Sequence, residues 1–172
     1  MSWKLAVGTI VALAVIAFAY YAVSPLFISI RADDDVPGEA EQSQEASAQD
    51  VEESTATQPA PVIESQPIQS VGAEVVGTLG HPASGIARIV RDQGKTYLRY
   101  EDFTTINGPD LFVYLASDTK ATEFVNLGAL KATEGNVNYE IPPGTDLSKY
   151  PFALVWCRAF GVLFNSADLS AI

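Results

Sequence analysis

The sequence is poor in the residues that most often carry catalysis or cross-link small domains. Its 172 residues include one cysteine, Cys157, and one histidine, His81. A single cysteine excludes an intrachain disulfide. The chain also lacks a Gly-x-Ser-x-Gly elbow, a zinc-protease helix and a phosphate-binding glycine loop. These absences argue against a conventional enzyme and favour a non-catalytic module.

Positive charge is scarce as well. Ten Lys and Arg residues stand against 21 Asp and Glu residues, which gives a formal net charge of −11. Most of the excess lies in residues 31–70, where one arginine faces ten acidic residues. Nucleic-acid binding requires a basic patch or stripe, and the sequence has none. We therefore expect no nucleic-acid partner.

Residues 5–30 contain no charged side chain, and most of them are apolar. A run of this length can cross the roughly 30 Å hydrocarbon core of a bilayer as one helix. The sequence predicts that residues 1–30 form an N-terminal transmembrane anchor, with residues 5–30 in contact with membrane lipid.

A cleavable signal peptide is the main alternative to an uncleaved signal-anchor. Residues 17–19, Ala-Phe-Ala, have the small-x-small form that signal peptidase accepts. The apolar run continues beyond Ala19 to residue 30, which suits an anchor better than a short signal core. Lys4 precedes the run, so we expect a cytoplasmic N-terminus and a folded domain outside the cytoplasm. Cleavage near Ala19 would instead give a secreted protein.

Residues 31–70 contain no aromatic side chain and are rich in acidic residues, Gln, Ser and Pro. Such a composition cannot bury enough apolar surface to offset the entropy of ordering. We predict a disordered linker that acts as a tether, with a typical reach of roughly 35 to 45 Å.

Residues 71–172 have a different pattern, in which short apolar or alternating runs are separated by Gly, Pro, Asn and Asp. This spacing is typical of antiparallel sheets. We predict one all-β domain, an antiparallel β-sandwich or jelly roll of about eight strands. The predicted strands are residues 74–79, 86–91, 96–100, 111–115, 124–127, 137–141, 152–158 and 162–164.

Two residues of this domain could carry chemistry. Cys157 lies on a predicted strand that is apolar on both faces, which indicates a central strand and allows Cys157 to be a small buried hydrophobe. A thiolate at this position could instead attack disulfides or bind a metal or haem iron. His81 lies in a predicted turn, where an imidazole can be a ligand, a proton carrier or a solvated loop residue.

Three sequence motifs follow one another along this domain. They are His81-Pro82-Ala83-Ser84-Gly85-Ile86-Ala87, Asn107-Gly108-Pro109-Asp110-Leu111-Phe112-Val113-Tyr114-Leu115 and Trp156-Cys157-Arg158-Ala159-Phe160-Gly161-Val162. In this order they resemble the DM-thirteen domain family, and shorter matches between them extend the resemblance over about residues 75 to 169.

The resemblance implies a β-sandwich related in use to DOMON domains, which are proposed to transfer electrons outside the cytoplasm. It implies that Cys157 is a redox thiol or a ligand of a prosthetic group. By the same matching His81 is a second ligand, with haem or copper as the candidate group and the metal undetermined. We expect the redox partner protein to be a separate molecule.

A binding or adhesion module is the alternative. Sandwich domains commonly present loops at one end to sugars or proteins, and residues 107–110 and 142–146 are candidate binding loops here. In that reading Cys157 is a core residue. A third, purely structural reading treats the whole domain as a surface spacer.

Overall fold

The computed structural model describes residues 3–38 and 68–171, and the middle of the predicted linker, residues 39–67, lies outside the described residues. The chain begins with helix α1, Trp3–Val23, which is followed by a 3-10 helix, Ser24–Phe27. Proline disfavours α-helical geometry in the residue before it, so Pro25 accounts for the end of α1 near Val23. The window Ala6–Val23 has a mean hydropathy of 2.2 and none of it is buried in the protein. The helix is long and apolar enough to span a membrane.

The remaining described residues form two β-sheets. The first sheet contains β1 (Arg31–Asp33), β2 (Ile68–Gln69), β3 (Ala73–Glu74), β5 (Ala83–Asp92), β6 (Lys95–Thr105) and β9 (Glu134–Ile141). The second sheet contains β4 (Val76–Gly77), β7 (Leu111–Ala116), β8 (Phe124–Ala129), β10 (Phe152–Cys157) and β11 (Val162–Asp168).

The strand order in the first sheet is β1-β9-β6-β5-β2, and β3 also pairs with β5. In the second sheet the order is β4-β11-β10-β7-β8. All strand pairs are antiparallel except β1 with β9, which is parallel. Strand β10 lies in the middle of its sheet, as its two apolar faces predict.

The predicted fold class is confirmed, because two sheets and one apolar N-terminal helix make up the described structure. Each of the eight predicted strands corresponds to a strand or, for residues 74–79, to the short strands β3 and β4. The main core is formed by alternate side chains of the two sheets. It includes Ile89, Leu98, Tyr100, Phe103, Val113, Leu115, Tyr139, Val155, Cys157 and Phe164.

The structure departs from the predicted linker at both of its described ends. Residues 31–33 form β1 and pair with residues 134–136 of β9, and β2 pairs with Val90 and Arg91 of β5. The sequence gives no sign of β1, because three residues flanked by acidic side chains show no apolar alternation. Backbone pairing with the edge of β9 forms this strand, and apolar burial contributes little to it.

The residues before β1 are also bound to the sheet. Thr133 lies directly before β9, and its backbone N–H donates to the Ile30 carbonyl oxygen at 2.7 Å. The Ile30 N–H donates in return to Thr133 Oγ1 at 2.8 Å. Asn107 Nδ2 donates to the carbonyl oxygen of Ile28 at 3.1 Å. Three residues, 28–30, therefore connect the end of the 3-10 helix to the sandwich.

Residues 34–38, here called the strap, cross the outer face of the first sheet. Arg99 of β6 is only 5% exposed beneath them. Its Nη1 donates to the carbonyl oxygens of Asp34 and Asp35 at 2.9 and 3.1 Å. At the far end of the strap, a Cβ added to Gly38 would lie 2.8 Å from a carboxylate oxygen of Asp92. The strap thus runs from β1 to the end of β5.

The antiparallel pairings place five connections at one end of the sandwich. We call this the helix-proximal end, because Ile28 and Ile30 bind to it and Phe160 contacts Phe18 of α1 with ring centroids 6.3 Å apart. The connections there are residues 28–30, 78–82, 106–110, 130–133 and 158–161.

Candidate functional site

Cys157 is the last residue of β10, at the helix-proximal end of the second sheet. It points into the main core and its exposed fraction is 0%. Its strand partners are Leu111 at the start of β7 and Val162 at the start of β11. No hydrogen bond to the sulfur occurs within residues 3–38 and 68–171, so the thiol sits in an apolar environment. The four residues that follow it, 158–161, are exposed.

Arg158 follows Cys157 directly but belongs to the other face of the sheet. Its Nε and Nη2 donate to the two carboxylate oxygens of Asp110, at 3.2 and 3.1 Å. The guanidinium also lies over the ring of Phe112, 3.5 Å from the centroid. Hydrogen bonding to Asp110 raises the pKa of Arg158. The alternation of side chains along a strand predicts this separation from the Cys157 sulfur.

The Arg158–Asp110 pair joins two of the motifs described above. The Arg158 backbone N–H donates to the Asp110 carbonyl oxygen at 3.0 Å, so main chain and side chains both connect the turns. The two motifs alone do not indicate which strands are neighbours, so the sequence does not predict this pair. Asp110 lies just before β7 and Arg158 just after β10. Their opposite charges would predict an ion pair only if β7 and β10 were known to be neighbours.

His81 lies in the turn between β4 and β5. Its Nδ1 is 2.9 Å from Thr78 Oγ1, and its ring stacks on Phe164 with centroids 4.0 Å apart. Thr78 Oγ1 also lies within hydrogen-bonding distance of the carbonyl oxygens of Leu163 and Phe164. The turn is therefore bound to the start of β11, and the imidazole is held against an aromatic ring.

The structure brings His81 and Cys157 to the same end of the sandwich without joining them. Phe164 stacks on His81 and belongs to the core cluster that contains Cys157. The imidazole partners within residues 3–38 and 68–171 are Thr78 and Phe164.

Haem or copper ligation by these two residues does not fit the described conformation. The Cys157 sulfur is enclosed by core side chains, which leaves no space for a porphyrin or a coordinated ion beside it. His81 Nδ1 lies 2.9 Å from Thr78 Oγ1, so this ring nitrogen is engaged in a hydrogen bond. Across the described ranges, no group of three or more His, Cys, Asp or Glu side chains lies close enough together to hold a metal ion.

Two buried tyrosines pack in the same core and were not singled out from the sequence as functional residues. The rings of Tyr100 and Tyr139 meet edge to face at 6.2 Å. Tyr139 accepts a hydrogen bond from the Lys131 backbone N–H at 2.8 Å, whereas the buried Tyr100 hydroxyl has no partner in the described part of the chain. Burial raises the pKa of Tyr139 to about 12 and raises that of Tyr100 further. Both phenols therefore stay protonated at neutral pH.

The two loops considered for a binding module lie at opposite ends of the sandwich. Residues 106–110 connect β6 to β7 at the helix-proximal end, whereas residues 142–151 connect β9 to β10 at the other end. A surface cavity of about 540 Å³ lies at that other end, lined in part by Arg91, Leu147 and Tyr150. Loops 107–110 and 142–146 therefore do not form one binding edge.

The fold and site define a small all-β module with a buried cysteine at the end of the sandwich nearest an apolar N-terminal helix. A family model described as electron transfer DM13 matches residues 76–169, more than half of the chain. The chain therefore belongs to the electron transfer DM13 family, the DM-thirteen family that its motifs resemble. Searches of curated proteins and of solved structures gave no significant match.

Proposed function

We propose that this protein is a membrane-anchored electron-transfer module in which Cys157 is the redox-active group. The observation that carries the proposal is the family match over residues 76–169, which includes β10 and its cysteine. The second support is chemical, since Cys157 is the one residue of the chain whose side chain forms and breaks disulfides.

The proposal places α1 across a membrane and the sandwich outside the cytoplasm. The length and hydropathy of Ala6–Val23 support a membrane span. Lys4 before the apolar run favours a cytoplasmic N-terminus. The partner is a separate redox protein at the same membrane or in the space outside it.

Because a prosthetic group does not fit beside Cys157, we assign the chemistry to the free thiol. The thiol loses its proton to water, and the thiolate attacks one sulfur of a partner disulfide. A mixed disulfide forms, and the other partner sulfur leaves as a thiolate with the bonding electron pair. A thiol of a dithiol electron donor then attacks the Cys157 sulfur, so the partner leaves with both of its sulfurs reduced. The second donor thiol displaces Cys157 as a thiolate and closes the donor disulfide, which completes the transfer of two electrons from donor to partner.

This exchange requires Cys157 to become accessible. The adjacent turn, residues 158–161, is exposed and is bound to the neighbouring turn through Arg158 and Asp110. Local opening of this turn would expose the end of β10 while the central strand pairings stay intact. His81 would assist from the next turn, as a proton carrier whose imidazole already hydrogen-bonds to Thr78.

The test uses the full chain produced in an exporting host, compared with Cys157→Ser. Ultraviolet-visible spectra are recorded in oxidised and reduced states, with and without added haem or copper, and mixed-disulfide formation with oxidised glutathione is followed by mass spectrometry. We expect no new absorption band and one glutathione adduct that the variant lacks. A Soret or thiolate-to-metal band that disappears in the variant would show that Cys157 is a ligand instead. The absence of both adduct and band would contradict the redox function.

A further inference from the structure

Large apolar side chains are exposed together at the helix-proximal end. Leu79, in the turn between β4 and β5, is 101% exposed, and Phe160, in the turn between β10 and β11, is 47% exposed. Val162, between these two turns at the start of β11, is 37% exposed. Burying such side chains in an apolar phase is favourable, so two of them on adjacent turns and a third at the start of the strand between the turns mark an interaction surface.

This surface is continuous with the apolar residues that follow α1. Phe27, Ile28 and Ile30 are exposed, and the last two are bound through their main chain to Asn107 and Thr133. Covalent connection and hydrogen bonds therefore fix the exposed turns close to the point where the helix ends. A partner at this end has to fit beside the helix itself.

We propose that the helix-proximal end of the sandwich inserts Leu79 and Phe160 into the interface of the lipid bilayer that α1 crosses. This inference rests on the proposed membrane anchoring of α1, and it goes further because it assigns an orientation to the folded domain. The occupant of the apolar surface is the lipid itself.

The contact between Phe160 and Phe18 sets the depth of insertion. Phe18 lies five residues before Val23, the last residue of α1, which corresponds to about 7.5 Å along the helix axis. Apolar side chains of interfacial segments bury by roughly 5–10 Å into the boundary between headgroups and acyl chains. The observed ring contact therefore places Phe160 at the depth of that boundary.

The charges beside Phe160 are compatible with this position. Arg158 and Asp110 pair with each other through two hydrogen bonds, so neither charge enters the interface alone. Arginine side chains also extend their charged heads towards water while the stem stays in an apolar layer. The side chains of Asp33 and Asp34, on β1 and the strap, accept hydrogen bonds from Asn136 Nδ2 and the Asn138 backbone N–H. The carbonyl oxygens of Asp34 and Asp35 accept from Arg99.

The experiment places an environment-sensitive fluorophore at single cysteines in the full chain with Cys157→Ala, reconstituted in phosphatidylcholine nanodiscs with nitroxide-labelled lipid. Leu79→Cys and Phe160→Cys report on the proposed surface. Ser148→Cys, on an exposed loop at the other end, is the matched control, and Ala12→Cys reports on α1. We expect lipid quenching at positions 12, 79 and 160, several-fold stronger than at 148.

Each other outcome overturns the inference in a distinguishable way. Quenching at position 12 alone would support the transmembrane anchor but contradict the proposed contact of positions 79 and 160 with lipid. No quenching at any position would remove the anchor as well. A blue shift at 79 and 160 without lipid quenching would show that protein, such as a second copy of the chain, covers the surface.

A second measurement on the unsubstituted chain avoids any folding defect of Cys157→Ala. Hydroxyl-radical labelling compares Leu79 with Ile68, which is 68% exposed at the other end of the sandwich. We expect Leu79 to be protected in nanodiscs while Ile68 is modified. Equal modification of both side chains would contradict the inference.

Discussion

Arg158 connects the turn after Cys157 to the turn before β7. Breaking its pair with Asp110 should let the turn open more often, because one backbone hydrogen bond then remains between Arg158 and Asp110. We predict that Arg158→Ala speeds alkylation of Cys157 several-fold in the folded protein. The measurement is the rate of thiol modification by a small maleimide.

The matched control for Arg158→Ala is Lys149→Ala. Lys149 also forms an exposed ion pair, with Glu123 at 2.8 Å, but at the opposite end of the sandwich. Its removal should leave the alkylation rate of Cys157 unchanged. Equal rates for wild type and Arg158→Ala would show that the ion pair does not control access to the sulfur.

Two buried tyrosines allow a comparison of a hydroxyl that has a hydrogen-bond partner with one that has none among the described residues. Tyr139→Phe removes the acceptor of the Lys131 N–H and should lower the free energy of unfolding by about 1 kcal/mol. Tyr100→Phe removes a buried hydroxyl that has no partner among the described residues, and should leave the stability unchanged or raise it by up to about 1 kcal/mol. Urea unfolding of the full chain in micelles tests both. A larger loss of unfolding free energy for Tyr100→Phe than for Tyr139→Phe would indicate that the Tyr100 hydroxyl has a hydrogen-bond partner.

At the scale of elements, β1 is the strand that binds the helix to the sandwich. It packs against Gly135 of β9, where a Cβ would collide with the carbonyl oxygen of Ala32 and where φ is +102°. We predict that Gly135→Ala displaces β1 and increases hydrogen exchange in residues 30–38. Peptide-resolved mass spectrometry measures this exchange.

Gly144→Ala is the control for Gly135→Ala, because it introduces backbone strain without a steric collision. Gly144 also has a positive φ, +80°, but a Cβ there would meet no atom within 4 Å. Left-handed geometry alone costs an alanine about 1–2 kcal/mol. Gly144→Ala should therefore destabilise the protein without changing exchange in residues 30–38. The same exchange in both variants would contradict the role of β1.

The sequence predicted the strands that bury side chains better than the strands that do not. Residues 152–158 are apolar on both faces, and this pattern alone indicated a central strand with Cys157 and Arg158 on opposite sides. Strands β1 and β2 have no such pattern, since they form through backbone pairing with β9 and β5. The contact of His81 with Phe164 and the pairing of Arg158 with Asp110 depend on strand order, which short-range patterns do not contain.

At the scale of the whole molecule, the described chain joins the first sheet on both sides of residues 39–67. Gly38 lies against Asp92, and Ile68 pairs with Arg91, so the two described residues that flank 39–67 lie beside the same part of β5. The position of the sandwich relative to α1 is therefore set by residues 28–33. Linker length does not set it.

Replacement of residues 39–67 by about six Gly and Ser residues tests this arrangement. Closing a loop of six residues instead of 29 should raise the free energy of unfolding by about 1 kcal/mol, because loop-closure entropy grows with the logarithm of loop length. Hydrogen exchange in β1 should not change. Loss of the pairing between β1 and β9 in the shortened chain would indicate that residues 39–67 set the position of the sandwich relative to α1.

Electron transfer through Cys157 is tested by redox titration of the full chain in nanodiscs, with wild type and Cys157→Ala produced in the same exporting host. Glutathione buffers of increasing oxidation are added, and the adducts are identified by mass spectrometry. We predict a mixed disulfide on Cys157 that forms in oxidising buffer, disappears in reducing buffer and is absent from Cys157→Ala. No adduct on the wild type, or the same adduct on both proteins, would rule out Cys157 as the redox-active group.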